Sequence, residues 1–281
     1  MVPTNQNSYT TARLLRLTNS TLVSRCLPLV DMVREGFYSY DFDSAISTSP
    51  VRIPSRAVGC KLEDAAFLSG TERCDAVRYY EEDLHDYTTN RQGKPGFYIK
   101  RNQVYLVYQG NYSTFRQSVI LRPNKLVANE DAAQVTSINT GTNTVTCSTV
   151  PSAWSTSSVL DIVQAQAHFD WLAIDQTPSA VTTGTSGTIT FTSLPTDLLV
   201  GDWISLAKET PIVQLPEELH PLLAQETANL LLKSQGDANA WKMGVEEVKM
   251  MKEGLIALIN PRVQKEGKKI VNRTGMLRRG F

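Results

Sequence analysis

The sequence predicts an α+β protein in which amphipathic helices enclose a large inserted antiparallel β domain and an extended basic C-terminal arm closes the chain. Three observations predict it. Apolar residues recur at helical spacing after Thr21 and again after Pro216. From about Ser118 to Pro211, Thr, Ser and Val dominate, with Asn, Gly and Pro as punctuation and few helix formers. From Arg262 to Phe281 the charged residues are Arg262, Lys265, Lys268, Lys269, Arg273, Arg278 and Arg279 against the single acid Glu266. The division that follows is 1–117 with 212–259 as a core of helices, extended chain and a hairpin, 118–211 as the β insert, and 260–281 as the arm.

The elements follow in order. Asn19-Ser20-Thr21 offers side-chain oxygens to cap a helix, and Leu22, Val23, Cys26, Leu27, Val30 and Val33 share a face until Gly36 stops it. Pro28 lies inside that span, so it either kinks the helix or moves its start. Phe37 to Phe67 reads as extended chain, with Leu62 to Leu68 a strand or a short helix. The acidic stretch Tyr80-Glu81-Glu82-Asp83-Leu84 reads as a turn or helical cap. Gly96 to Val107 alternates on either side of Arg101-Asn102-Gln103, the mark of a hairpin.

Within the β region two segments look alike. Asn143 to Pro151, leading to Val159-Leu160-Asp161-Ile162-Val163, parallels Gly187 to Pro195, leading to Asp202-Trp203-Ile204-Ser205-Leu206. Such a pair is either a duplicated strand-turn-strand unit or the product of a limited strand vocabulary. After Pro216 and Glu217-Glu218, the residues Leu219, Leu222, Leu223, Glu226, Leu230 and Leu231 form one helical stripe that ends at Gly236. A second run, from about Asn239 to Ile259, carries Trp241, Val245, Val248, Met251, Leu255 and Leu258 at core spacing, and Asn260-Pro261 ends it.

Composition excludes several classes. The 281 residues are 41% hydrophobic and 20% charged, enough apolar material for a packed core and unlike a disordered chain. With 28 basic and 28 acidic side chains, no global charge draws the molecule to nucleic acid or a membrane. Cys26, Cys60, Cys74 and Cys147 lack the paired spacing of a zinc or redox site and read as reduced core residues. The first residues lack a basic region followed by an apolar stretch, and no run is long enough to span a bilayer, so a reducing, cytoplasm-like compartment is expected.

Motifs that carry chemistry are missing. There is no His-Glu-x-x-His, no Gly-x-Ser-x-Gly, no dinucleotide fingerprint and no phosphate loop. Gly93-Lys94-Pro95-Gly96 has proline where that loop needs Ser or Thr. His85, His168 and His220 lie far apart, and Glu81, Glu82, Asp83 and Asp86 lack the glycine-containing alternation of a calcium loop. No enzyme, cofactor or metal is expected, although scattered histidines and acids leave a hydrolase assembled by the fold as a minor alternative.

Several segments, taken in order, resemble the head-to-tail connector adaptors of tailed bacteriophages, the portal-adjacent ring proteins. Val51 to Ala65, with its Ile53-Pro54-Ser55-Arg56-Ala57 core, looks like the family's extended piece. Gly96-Phe97-Tyr98-Ile99 with Asn102 and Val104 is similar to its hairpin, Leu215 to Ala224 to its late helix, and Pro261-Arg262-Val263 to the opening of its C-terminal tail. The resemblance runs from roughly Thr21 to the C-terminus if the β region is treated as an insertion, and that large insert is where the chain departs from the compact adaptors.

The resemblance implies a helical bundle in a homo-oligomeric ring, of twelve subunits as in the family, docked on a portal protein and carrying the next tail ring or tail protein. It also implies a virion location at the portal-tail junction after assembly in the host cytoplasm, with non-specific contact to double-stranded DNA in the channel and no membrane. Ile53, Arg56, Leu219, Leu223 and Leu230 are the ring-interface candidates. Lys268, Lys269, Arg273, Arg278 and Arg279, with Arg262 and Lys265, are the candidates for portal or DNA contact, and Ile270-Val271 and Met276-Leu277 are apolar anchors for an arm too polar to fold alone. An alternative is a virion binding module whose β domain recognises a glycan or another tail protein through Trp154, Trp171 and Trp203.

Overall fold

Thr10, rather than Asn19, caps the first helix. The computed structural model describes residues 10–34, 36–80, 94–166 and 169–259, and there the Thr10 hydroxyl accepts the Arg13 N–H at 3.3 Å. The helix α1 (Thr11–Thr21) then continues through a π-helical turn (Leu22–Cys26) into α2 (Leu27–Val33). That turn is the chain's answer to Pro28. Proline lacks an N–H and its ring collides with the carbonyl four residues back, and a widened turn just before it lets the helix run on. Asn19 is used elsewhere: its Nδ2 donates to the Leu126 carbonyl at 2.9 Å and its Oδ1 accepts the Leu126 N–H at 2.6 Å, clipping the helix to a strand.

The extended region forms two small sheets. Strands β1 (Ser39–Ala45), β3 (Asp64–Ser69), β4 (Glu72–Asp75) and β8 (Thr114–Ile120) lie in the order β1-β8-β3-β4, all antiparallel. Leu62–Leu68 therefore resolves as a strand, held by a partner on each side. The second sheet is β2-β7-β6-β5, from β2 (Val51–Arg52), β5 (Val77–Arg78), β6 (Gly96–Lys100) and β7 (Gln103–Val107). The hairpin read around Arg101 is β6 and β7, and Arg101 takes the positive φ of 58° that so tight a connection requires. Strand β8 runs across position 117, where composition changes.

Seven strands make the large antiparallel sheet: β10 (Ala133–Asn139), β11 (Thr144–Cys147), β13 (Leu160–Val163), β14 (Trp171–Gln176), β15 (Ala180–Thr182), β17 (Thr188–Thr190) and β18 (Trp203–Leu206). Their order is β14-β13-β18-β10-β11-β17-β15. Two short pairs complete the strands among the described residues, β9 (Lys125–Leu126) parallel to β19 (Glu209–Thr210), and β12 (Thr149–Val150) antiparallel to β16 (Gly184–Thr185).

The two look-alike segments pair with each other. Asn143 matches Gly187, an offset of 44 positions, and the register in β11·β17 is Thr144 with Thr190, Val145 with Ile189 and Thr146 with Thr188. Each residue thus faces a position in the other segment, and the central pair, Val145 and Ile189, is one residue and its own counterpart. The same offset centres the β13·β18 pair on Asp161 and Ser205, with Leu160 opposite Leu206 and Ile162 opposite Ile204. Two antiparallel pairs obeying one offset are what an approximate two-fold axis produces, which favours the duplicated unit over chance likeness.

The described residues form a mixed α+β fold with two cores. The larger is built by Leu22, Val30, Tyr38, Phe67, Phe115, Leu121, Leu215 and Leu222, and reaches the large sheet through Val163, Trp171 and Ile174. The smaller lies within the β region around Val145, Cys147, Trp154, Ile162, Ile189 and Ile204. The cysteine expectation holds for half the set: Cys26 and Cys147 are buried, whereas Cys60 is exposed and Cys74 partly so, and all are free thiols.

The C-terminal helices form where local signals are dense. A 3-10 turn (Glu217–Leu219) leads into α3 (His220–Gln235), with Pro221 in the first turn and Gly236 at φ 79° ending it, and α4 (Ala238–Ile259) follows. Helix α3 packs on both α1 and α4. Gly244 permits the second contact, since a Cβ there would lie 1.9 Å from Asn229 Oδ1. Buried Glu226 joins the helices by accepting Lys252 Nζ at 2.6 Å and lying 3.4 Å from Arg25. Val245, expected in the core, is exposed because Gly244, Val248, Met251 and Leu255 form the inward stripe. The side chain of Leu258 lies outside the described residues, as do Asn260 and Pro261.

Candidate functional site

Arg56 follows the Ile53-Pro54 extended piece, and its carbonyl is fixed by the Arg122 N–H at 3.0 Å. That anchoring sends the guanidinium into the β region. Nη1 donates to Asp161 Oδ2 at 2.6 Å and Nη2 to Asp161 Oδ1 at 2.9 Å, a bidentate pair, while Nη2 also reaches Asp175 at 2.7 Å. Asp161 is wholly buried on β13. It accepts three further bonds, from Asn124 Nδ2 at 2.9 Å, the Lys208 N–H at 2.8 Å and the Asp175 N–H at 3.0 Å. Lys208 and Asp175 both adopt positive φ, 70° and 53°, a strained backbone held where two N–H groups converge on one carboxylate.

The network extends beyond the ion pair. Asn124 accepts Trp171 Nε1 at 3.1 Å, and its own N–H donates to Gln214 Oε1 at 2.6 Å. Gln214 donates to the Phe169 carbonyl at 3.1 Å, and its backbone carbonyl accepts the Tyr38 hydroxyl at 2.8 Å. One polar chain therefore runs from the extended segment through the large sheet to the foot of the C-terminal helices. Burial by itself would lower the Arg56 pKa, but the hydrogen bonds and charges of Asp161 and Asp175 together outweigh it and the net shift is upward. Desolvation raises the Tyr38 phenol well above its usual range, so it remains a donor.

Above this network lies a cleft of about 290 Å³. Leu22, Val23 and Pro123 form its apolar lining, and Arg122, Lys125 and Lys208 stand at its polar side. Lys125 lies 3.5 Å from Glu209 and Lys208 Nζ lies 3.4 Å from the Ser55 hydroxyl, while Arg122 pairs with no acid among the described residues. The cleft thus presents net positive charge beside apolar surface, suited to an acidic group attached to an apolar one. A second opening, of about 470 Å³, is lined by Phe37, Tyr40, Trp171, Arg34 and Asp170, with the Arg34 guanidinium 5.0 Å from the Phe37 ring centre. A third, of about 380 Å³, runs between α1 and α3 past Leu14, Leu223 and Leu231.

The residues singled out in sequence are placed as follows. Ile53 and Leu219 are in the larger core, Leu223 is almost wholly buried, Leu230 is partly buried and Arg56 is the buried ion-pair centre. The side chains of Ile53, Arg56, Leu219 and Leu223 have their contacts inside the protomer. His220 lies with Nε2 3.2 Å from the Leu215 carbonyl and its ring against Phe169. His85, His168, the acidic stretch Glu81 to Asp86 and all seven basic residues of the arm lie outside the described residues. Trp154 and Trp171 belong to different cores and Trp203 is half-buried on β18, so the three do not form one stacking face.

Asp161 was the residue overlooked. A carboxylate inside the apolar run Leu160-Asp161-Ile162-Val163 signals a buried partner, because an unpaired charge is not tolerated there. Among the described residues no group of three or more His, Cys, Asp or Glu is arranged to hold a metal, and no helix is long and apolar enough to cross a membrane. No protein-family model matches the chain, and no curated protein matches it.

Proposed function

We propose that this chain is a structural virion protein, an adaptor ring subunit that joins a phage portal to the tail and lines the DNA passage. One observation carries the reading furthest. The segment whose sequence resembles the adaptor family, Ile53-Pro54-Ser55-Arg56-Ala57, is also the segment that locks the molecule together, since Arg56 joins the extended chain to the large sheet through Asp161 and Asp175. A family-like motif at the mechanical centre of the fold is what an inherited scaffold leads one to expect, and in this reading the large sheet is an insertion into that scaffold.

In this reading the helices hold sibling copies in a ring of the family's kind. The basic segment from Arg262 to Arg279 contacts portal acids or the passing duplex through its cations. The test is electron microscopy of the purified full-length chain mixed with the portal from the same particle. An added ring beneath the portal is expected, and removal of 262–281 should weaken docking. A chain that stays monomeric and leaves the portal bare refutes the proposal.

A further inference from the structure

The outward face of α4 is the chemical complement of the cleft above Arg56. With Gly244, Val248, Met251 and Leu255 turned inward, Met243 and Met250 are left 72% and 67% exposed one heptad apart. Exposed Glu246 and Glu253 lie between and beyond them at spacings of three and four, so the stripe reads Met, Glu, Met, Glu along one side of the helix. Lys242 and Lys249 occupy the adjoining row. The cleft offers the opposite set: Val23, 43% exposed, with Pro123 as apolar surface, and Arg122, Lys125 and Lys208 as cations.

We infer that these two faces meet between copies of the chain, the Met243–Glu253 stripe of one protomer seating on the Val23–Arg122–Lys208 cleft of the next. The inference rests on the ring reading and specifies its interface. Two different faces in contact make a heterologous joint, which closes into a ring when the rotation per subunit divides a full turn. Methionine suits the recess because an unbranched, flexible thioether fills irregular space. A DNA backbone fits it less well, since phosphates would pair with the cations but leave Val23 and Pro123 uncovered.

The test uses the full-length chain, mixed as equal parts of unlabelled and nitrogen-15-labelled protein, alone and with portal. Carbodiimide treatment joins carboxylates to amines only at contact distance. Mixed-isotope cross-links from Glu246 or Glu253 to Lys125 or Lys208 are expected in the oligomer. Glu246→Lys with Glu253→Lys should lower self-association at least tenfold by sedimentation, and so should Arg122→Glu with Lys208→Glu. The two reversed proteins, when mixed, should associate again. An oligomer that survives both reversals, or that cross-links only elsewhere, overturns this interface and leaves the ring reading standing. Duplex DNA binding at the cleft without self-contact at α4 overturns it too. Wild-type protein that is monomeric under every condition overturns the ring reading itself.

Discussion

Replacing Arg56 by methionine keeps most of the side-chain volume and removes the guanidinium that, among the described residues, is bonded to Asp161. The carboxylate would remain fully buried. It would still accept the Asn124, Lys208 and Asp175 donors but would lose both bonds of its bidentate pair and the counter-charge that Arg56 supplies. Breaking one side of a buried ion pair costs about 3–5 kcal/mol, a large share of the roughly 5–15 kcal/mol that keeps a protein folded. At about 2–4 °C per kcal/mol for a chain of this size, the melting temperature should fall by roughly 10 °C. Urea unfolding followed by tryptophan fluorescence is the assay, since Trp171 lies in the same network.

A second variant makes the reasoning sharper. For a simple ion pair, replacing both partners by apolar groups often restores stability. Here Arg56→Met with Asp161→Leu would orphan the Lys208 and Asp175 N–H groups, each at about 1–3 kcal/mol, so little recovery is expected. A loss under about 1 kcal/mol for Arg56→Met, or near-complete recovery in the double variant, would refute the claim that this network holds the sheet to the rest of the chain.

Other outcomes follow from the packing and the thiols. Gly244→Ala should destabilise the protein by about 1–3 kcal/mol through overpacking, with Asn229→Ser relieving most of it, as read by thermal unfolding. Maleimide should label Cys60 readily in the native protein and Cys26 and Cys147 only after denaturation. Burial first, and then Glu226, pushes the Cys26 thiol up to about 11, and burial pushes Cys147 up to about 12. The unfolded chain therefore sheds these protons first, and stability should decline as pH rises from about 9 through 11 to 12; Cys26→Ser with Cys147→Ser should blunt that alkaline decline if the thiols cause it.

What was legible in the sequence was local. Helix α3 could be read because Pro216, the paired glutamates and Gly236 mark its ends within the segment itself, and the β6·β7 hairpin because alternation brackets Arg101. The start of α1 was missed because exposed Arg13 and Arg16 interrupt Leu14, Leu15 and Leu17, which are only partly buried, so an apolar-period search locks onto fully buried Leu22 instead. The cap at Thr10 was one hydroxyl in the run Ser8-Tyr9-Thr10-Thr11, with nothing local to single it out. Val245 was misplaced because it stands about 100° round α4 from Gly244, at the border of the apolar stripe, and Gly244, carrying no hydrophobic side chain, gave no sign that its row was the buried one. The Arg56 network could not be read at all as a pairing, since its partners are separated by 105 positions in the chain, even though Asp161 was conspicuous where it stood.

The approximate two-fold axis has a consequence for how the β region could have begun. Each half presents strand edges that its other half covers, Thr144 to Thr146 against Thr188 to Thr190 and Leu160 to Val163 against Trp203 to Leu206. A polypeptide encoding one half alone would carry two bare edges shaped to accept an identical molecule, and tandem fusion converts such a concentration-dependent pair into a permanent one. The linkage also releases the halves to diverge. Asp161 has become the seat of Arg56, while its mate across the axis, Ser205, donates to the carbonyl of Glu209.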